Sequence, residues 1–170
     1  MKWPATIANF CWFASSLPEA RRFRQSLKQP DLIQERLLLK LVSDNAATAY
    51  GRRYHFDRIN TYEDFAISVP VVDYSGVEPW IERIRSGEPE VLTNERVTRL
   101  VPTSGSSGAR KLIPFTRGLQ HEFNRAIAAW IIDLARMRPR ILLGPAYWSI
   151  SLPPQHNETN AGNCISISRI

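Results

Sequence analysis

Apolar residues in the first part of the chain recur at helical spacing. The run at residues 7–17 predicts a short helix that docks on the core, and residues 18–27 predict a second short helix with basic side chains. Asp31 then offers an N-cap with Gln34 three positions later, so another helix is expected, and Gly51 is placed to end it. One face of that helix is apolar and carries Leu32, Ile33, Leu37 and Leu41.

Two further helices are predicted before residue 100. The first covers residues 62–66, and the second covers residues 74–85, with Asp73 as its cap and an end at Gly87. The first hundred residues are therefore expected to be mainly helical.

From residue 97 the pattern changes to short apolar runs that are typical of strands. We predict strands at residues 97–102, 111–115 and 140–143. Between the last two, Thr116 can cap a helix with one apolar stripe, which comprises Leu119, Phe123, Ile127, Trp130 and Leu134. The change from helices to strands predicts an α/β fold class for the second half.

Composition narrows the possible partners. The net charge is +6, from 22 Lys plus Arg against 16 Asp plus Glu. The arginines are spread along the chain and form no single basic run. This distribution favours solvated surface charges over a nucleic-acid-binding surface. Cys11 and Cys164 are too few for a zinc site and too far apart to suggest a disulfide, which favours a reducing, cytoplasmic location. No run approaches the roughly 20 apolar residues that span a bilayer, so no membrane partner is expected.

The segment from residue 103 to 111 carries the clearest chemistry. Gly105 and Gly108 can adopt positive φ, so successive backbone N–H groups can face one concavity that binds anions. Hydroxyl donors and one ammonium surround it, from Thr103, Ser104, Ser106, Ser107 and Lys111. These groups predict a site for the phosphates of ATP, although an ordinary Ser/Gly-rich turn is the alternative that the motif alone leaves open.

The spacing of this loop excludes several other assignments. Its second glycine stands three residues before the lysine, which excludes a Walker A loop, and a G-x-G-x-x-G pattern is absent. The loop lies between two apolar extended runs, so a hairpin-like loop is expected. Ser104 lacks the G-x-S-x-G order of a hydrolase nucleophile, and His55, His121 and His156 lie too far apart to form a metal site.

Residues 102–116 resemble the phosphate-loop motif of the auxin-responsive acyl-acid amido synthetases, a branch of the adenylate-forming, firefly-luciferase-like superfamily. The resemblance continues in colinear order from about residue 25 to residue 160. The other matching segments are residues 45–53, 56–59, 62–65, 69–70, 84–89 and 144–149.

The resemblance implies a mainly helical N-terminal layer at residues 1–95 that leads into the first strands of a luciferase-like ATP-binding domain at residues 96–170. It also implies ATP with Mg²⁺ as cofactor, a small carboxylic acid and an amino acid as the partners of the full-length parent, and amide formation by way of an acyl-adenylate. Phe123 and Tyr147 would line the acyl-acid pocket, although Tyr147 and Trp148 suit core packing equally well.

The chain also departs from that family. The later ATP motifs and the mobile C-terminal domain are not found in it, and residues 163–170 lack the expected glycine and apolar strand, so we expect a truncated or frameshifted reading frame. Three hypotheses follow. The chain is an N-terminal fragment of the synthetase that is inactive alone, a stand-alone nucleotide- or phosphate-binding module, or a nonfunctional remnant.

Overall fold

The computed structural model describes residues 3–103 and 111–145. This part of the chain forms α-helices, short 3₁₀ helices and one two-stranded antiparallel sheet. In chain order the elements are α1 (Trp3–Ser26), α2 (Pro30–Asp44), α3 (Ala49–Arg53), α4 (Tyr62–Ser68), α5 (Tyr74–Arg85), β1 (Arg99–Pro102), β2 (Leu112–Phe115) and α6 (Arg117–Met137). The 3₁₀ helices are Phe56–Arg58 and Pro139–Leu143.

The described residues divide into two compact units. The first combines residues 3–31 with residues 119–145, and the second comprises residues 32–103 and 111–118. The second unit crosses residue 95, where the sequence places the end of the helical layer. That domain boundary stays a prediction.

In the first unit, α1 docks on α6 and on the 3₁₀ helix Pro139–Leu143. The Asn9 side chain donates to the carbonyl oxygens of Leu142 and Gly144, at 3.2 and 2.7 Å. Nearer the other end of α1, Glu19 forms an ion pair with Arg125, with 2.9 Å between Oε2 and Nε. This hydrogen bond lowers the pKa of the Glu19 carboxyl. Polar contacts therefore attach both ends of α1.

The core of the second unit lies where α5 meets the hairpin. Ile81 and Ile84 of α5 pack with Val91 and with Leu100 of β1, and all four are buried. Burying a side chain of this size contributes roughly 1.5–3 kcal/mol each. The hairpin is therefore supported by the buried face of α5.

The helix α3 is attached to the segment that precedes the hairpin. The backbone N–H of Ala49 donates to the Glu90 oxygen and that of Tyr50 to the Val91 oxygen, at 2.8 and 2.9 Å. The Tyr50 ring lies 5.2 Å from Trp80 of α5 in an edge-on contact. Burial, and to a lesser degree Tyr54, raises the pKa of Tyr50.

The helices α4 and α5 begin where the sequence predicts, and α5 also ends there. Thr61 and Asp64 form a reciprocal capping box at the start of α4. The Asp73 side chain accepts from the Gly76 N–H at the start of α5, and Gly87 has a φ of 92° just after its end. The predicted cap and end of this helix are confirmed.

Three sequence predictions are wrong in this region of helices. The runs at residues 7–17 and 18–27 form one helix, α1, with Pro18 inside it. Asp31 lies in the first turn of α2 and is not its N-cap, since the helix begins at Pro30. Gly51 does not end that helix, because α2 ends at Asp44 and Gly51 lies within the separate helix α3.

The predicted strand at residues 140–143 is also wrong, because these residues belong to a 3₁₀ helix. In α6 the predicted stripe is not the buried side. Ile131, Ile132 and Ala135 are buried, whereas Phe123 and Trp130 are exposed. Periodicity identified the helix but not the face that packs.

Candidate functional site

The strands β1 and β2 form the hairpin that the sequence predicts around the Ser/Gly-rich loop. They pair antiparallel, with Leu100 opposite Pro114 and Pro102 opposite Leu112. Beyond the last strand pair, the Thr103 N–H donates to the Lys111 carbonyl oxygen at 2.9 Å. The two ends of the candidate phosphate loop are therefore held together, and both are exposed.

Several predicted site residues lie outside the described residues. They are Ser104, Gly105, Ser106, Ser107, Gly108 and Tyr147. Their roles stay predictions. Phe123 is described, and 59% of its surface is exposed. It belongs to the unit that contains α1, whereas Thr103 and Lys111 belong to the other unit. Its place in an acyl-acid pocket stays a prediction as well.

The side chain of Lys111 lies near the start of α5. Its Nζ is 5.7 Å from the centroid of the Tyr74 ring. The Tyr74 hydroxyl oxygen accepts the N–H of Leu112 at 2.8 Å. Next to it, the pKa of the Asp73 carboxyl is lowered, mainly by the Ser75 hydroxyl and the Gly76 N–H, with a smaller contribution from the charge of Lys111. Sequence reasoning missed this neighbourhood, because Tyr74 and Leu112 are 38 positions apart.

Arg99 stabilises the hairpin on the side away from the loop. Its guanidinium carbon lies 4.2 Å from the centroid of the Phe115 ring, its partner in the strand register. A guanidinium over an aromatic face is an attractive contact. Thr98 extends the pairing, since its N–H and its hydroxyl both donate to the Phe115 oxygen at 2.9 Å.

Glu95 holds the start of α6, directly after the hairpin. Its carboxylate accepts the Gly118 N–H at 2.8 Å and also the Thr116 hydroxyl, and these hydrogen bonds lower the pKa of the Glu95 carboxyl. A Cβ on Gly118 would overlap the Glu95 carboxylate, so glycine suits this close approach. Sequence reasoning assigned the capping of α6 to Thr116 alone, because local pattern cannot show a carboxylate 23 positions earlier.

Two cavities lie away from the hairpin mouth. One of about 430 Å³ is mainly apolar, belongs to the first unit and is lined by Trp12, Trp130 and Leu142 among others. The other, of about 1160 Å³, is an open cleft lined by residues 87–98 with Ile84, Arg117 and Gly118. Neither is lined by Thr103 or Lys111.

No group of three or more His, Cys, Asp or Glu side chains among the described residues is arranged to hold a metal ion. No helix in the same part of the chain has the length and apolar character needed to cross a bilayer.

Comparison with known proteins gives a consistent picture. The GH3 family N-terminal domain matches residues 19–168, which extends past both ends of the resemblance read from the sequence. An indole-3-acetic acid-amido synthetase of Arabidopsis thaliana, GH3.2, is 35% identical over 89 residues, and the match covers 51% of this chain and 16% of that protein. The 4-substituted benzoates-glutamate ligase GH3.12 of the same plant is 34% identical over 85 residues, or 49% and 15% of the two chains.

Solved structures of similar fold carry related names. The AtGH3.15 acyl acid amido synthetase in complex with 2,4-DB superposes with a TM-score of 0.62 at 28% identity, covering 73% of this chain and 21% of that one. A second GH3.15 structure has a TM-score of 0.64 at 27% identity, with coverage of 69% and 22%. The chain thus spans about a fifth or less of the length of the relatives it matches.

Proposed function

Because the chain belongs to the GH3 family, we propose that it carries the ATP phosphate-binding loop of an acyl-acid amido synthetase, which adenylates a carboxylic acid and joins it to an amino acid. The relatives' names favour this synthetase over a stand-alone phosphate-binding module. The observation that carries the proposal is the hairpin, in which the Thr103 N–H and the Lys111 oxygen close a Ser/Gly-rich loop.

The residues at the base of this loop suit a polyphosphate. The Lys111 side chain is exposed, and its ammonium can donate three hydrogen bonds to phosphate oxygens. Backbone N–H groups of the loop and the hydroxyls of Thr103, Ser104, Ser106 and Ser107 would complete a set of donors. ATP would bring Mg²⁺ with it, and the ion would offset part of the phosphate charge.

In the proposed reaction a carboxylate oxygen attacks the α-phosphorus of ATP. The new O–P bond forms as the bond to the β-phosphate oxygen breaks, and pyrophosphate leaves. The amine nitrogen of an amino acid then attacks the acyl carbon, AMP leaves with its bonding electron pair, and the nitrogen loses a proton. An amide results.

The contribution of the loop is electrostatic. Negative charge moves onto the leaving pyrophosphate in the first step, and donors that already point at it need no reorganisation. Lys111 would stabilise this charge, and the hairpin would keep the lysine and the donors of the loop in register. The segment supplies no general acid or base in this proposal. Phe123 and Tyr147 would contact the acyl group.

The test is calorimetric binding of MgATP to the 170-residue chain. We expect Lys111→Ala to weaken MgATP binding by roughly 1.5 to 3 kcal/mol, the range for a hydrogen bond between charged groups. His121→Ala is the matched control, since His121 is exposed on α6 and has no assigned role. His121→Ala should bind MgATP normally. If Lys111→Ala binds MgATP as tightly as the unchanged chain does, the assignment of the phosphate loop is wrong.

A further inference from the structure

One side chain outside the loop makes contact with both residues at the point where the loop enters β2. Tyr74, the first residue of α5, accepts the Leu112 N–H through its hydroxyl oxygen at 2.8 Å. The same ring lies 5.7 Å from the Lys111 Nζ. A single half-buried side chain therefore touches the backbone of one residue and the ammonium of the residue before it.

The two contacts act on different parts of the lysine. The hydroxyl fixes the backbone next to Lys111, so that the Cα of the lysine has a defined position and direction. The ring face attracts the ammonium, because an aromatic face is negatively polarised. A cation held in this way keeps its hydrogen-bond donors for a ligand, whereas a carboxylate partner would occupy them.

The neighbouring carboxylate leaves the lysine available. The Asp73 side chain is engaged at the start of α5, where it accepts from the Ser75 hydroxyl at 2.5 Å and from the Gly76 N–H at 3.2 Å. The Lys111 charge is the last and smallest of the contributions that lower the Asp73 pKa. Asp73 thus adds a favourable field near Lys111, while its Oδ1 accepts both hydrogen bonds at the start of the helix.

We propose that Tyr74 is a positioning residue, which holds Lys111 towards the phosphates of the bound nucleotide by means of its hydroxyl and its ring. The inference rests on the proposed function, because it assigns Tyr74 a role through Lys111. It predicts that Tyr74 matters for phosphate binding only when the lysine is present.

A double-mutant cycle tests this dependence, with inorganic pyrophosphate and Mg²⁺ as the probe and calorimetry on the 170-residue chain. We expect Tyr74→Phe, which keeps the ring and loses the hydroxyl, to weaken pyrophosphate binding about fivefold. Tyr74→Leu, which loses both contacts, should weaken it by about tenfold or more. When Lys111→Gln is already present, adding Tyr74→Leu should cause no further loss of pyrophosphate affinity. Tyr62→Leu, at an exposed tyrosine that begins α4, is the matched control and should bind normally.

A second measurement is independent of affinity. In NMR spectra the ring of Tyr74 should shift the side-chain methylene signals of Lys111 upfield, and Tyr74→Leu should abolish this shift while Tyr74→Phe retains it. The shift tests the contact between the ring and the lysine, whereas a tyrosine with a merely structural role would not show the dependence of binding on Lys111. If Tyr74→Leu fails to fold, the cycle with Tyr74→Phe decides the question alone.

The outcomes separate the two proposals. The positioning role is overturned if the Tyr74 variants lose the same pyrophosphate affinity in the chain that keeps Lys111 as in the chain that carries Lys111→Gln. It is also overturned if Tyr74→Phe and Tyr74→Leu bind pyrophosphate normally. Either result leaves the assignment of the phosphate loop intact. If the unchanged chain binds no pyrophosphate, or if Lys111→Gln binds it normally, the proposed function fails and the positioning role fails with it.

Discussion

At the scale of single residues, two polar contacts near the candidate site attach one segment of the chain to another. Tyr74 and Lys111 meet at the mouth of the hairpin, and Glu95 reaches the start of α6. Each contact joins positions that are far apart in the sequence. These residues define the surroundings of the candidate phosphate site without belonging to its motif.

Glu95 allows a prediction about pH. The pKa of the Glu95 carboxyl is lower in the folded chain than in the unfolded chain. The carboxylate therefore stabilises the folded chain fully above the unfolded pKa, and this contribution is lost as the pH falls through the folded pKa. Glu95→Gln should therefore lower the free energy of unfolding at pH 7 by about 0.5–1 kcal/mol, the size of an exposed helix cap. Urea unfolding of both chains should show this difference shrinking in acid.

Glu78→Gln is the control for the loss of one exposed carboxylate from the same unit. It should leave the free energy of unfolding nearly unchanged at both pH values. A Glu95→Gln deficit that persists below the folded pKa would show that the carboxylate charge is not what holds the start of α6.

At the scale of elements, short helices depend on the packing around them as much as on their own sequence. α3 contains only Ala49–Arg53, too few residues for a stable isolated helix. The Thr48 hydroxyl caps α3 by accepting from the Gly51 N–H at 2.9 Å. The first two backbone N–H groups of α3 donate to the carbonyl oxygens of residues 90 and 91. Gly51 is buried within it, against the backbone carbonyl of Asn45.

Gly51→Ala should therefore destabilise the unit, because a Cβ at this position would overlap the Asn45 carbonyl oxygen and the backbone would have to move. We expect a loss of about 1–3 kcal/mol in the free energy of unfolding, as for overpacking in a core. Gly144→Ala is the matched control, since nothing lies within 4 Å of a Cβ there. Equal thermal stability of the two variants would contradict the close packing of α3.

At the scale of the whole molecule, large apolar side chains remain on the surface. On α2 the exposed fractions are 56% for Leu32, 53% for Leu37 and 52% for Leu41. These residues form the apolar face that the sequence predicts for this helix. Contiguous apolar surface of this kind marks an interaction site or a tendency to aggregate.

We expect the 170-residue chain to self-associate or to bind a hydrophobic dye. Replacing Leu37 and Leu41 by Glu should reduce both effects, because it places charge on the exposed face of α2. Size-exclusion chromatography and dye fluorescence measure the change, with Lys40→Glu as a control for added negative charge beside that face. A sharp monomer peak with one cooperative melting transition in the unchanged chain would contradict the expectation.

The proposed chemistry sets a further expectation for the chain as a whole. We expect no acyl-adenylate from these 170 residues by themselves, because the sequence contains no later acyl-adenylate motif and no assigned aspartate for the ribose hydroxyls. Acid-dependent exchange of labelled pyrophosphate into ATP measures this step. Exchange above a no-enzyme control, with acids such as indole-3-acetic acid, would contradict it.

The sequence by itself determined those features whose causes are local. The cap and end of α5 depend on partners a few positions away, so Asp73 and Gly87 could be read directly from the sequence. The hairpin followed from two apolar runs around a Ser/Gly-rich loop. The family followed from colinear motifs, which the match to residues 19–168 confirms.

Only the tertiary structure decided features that depend on distant partners. α1 continues through Pro18, although an interior proline costs a helix about 3 kcal/mol, and beyond it Glu19 pairs with Arg125 of α6, 106 positions away. Residues 140–143 form a 3₁₀ helix and not a strand, and the Leu142 carbonyl oxygen within it accepts from the side chain of Asn9, 133 positions away. Local propensity differs by about 1 kcal/mol per residue between such states, and a few long-range contacts can outweigh it. The contact between Tyr74 and Lys111 arises for the same reason, because only the packing of α5 on the hairpin brings position 74 to position 111.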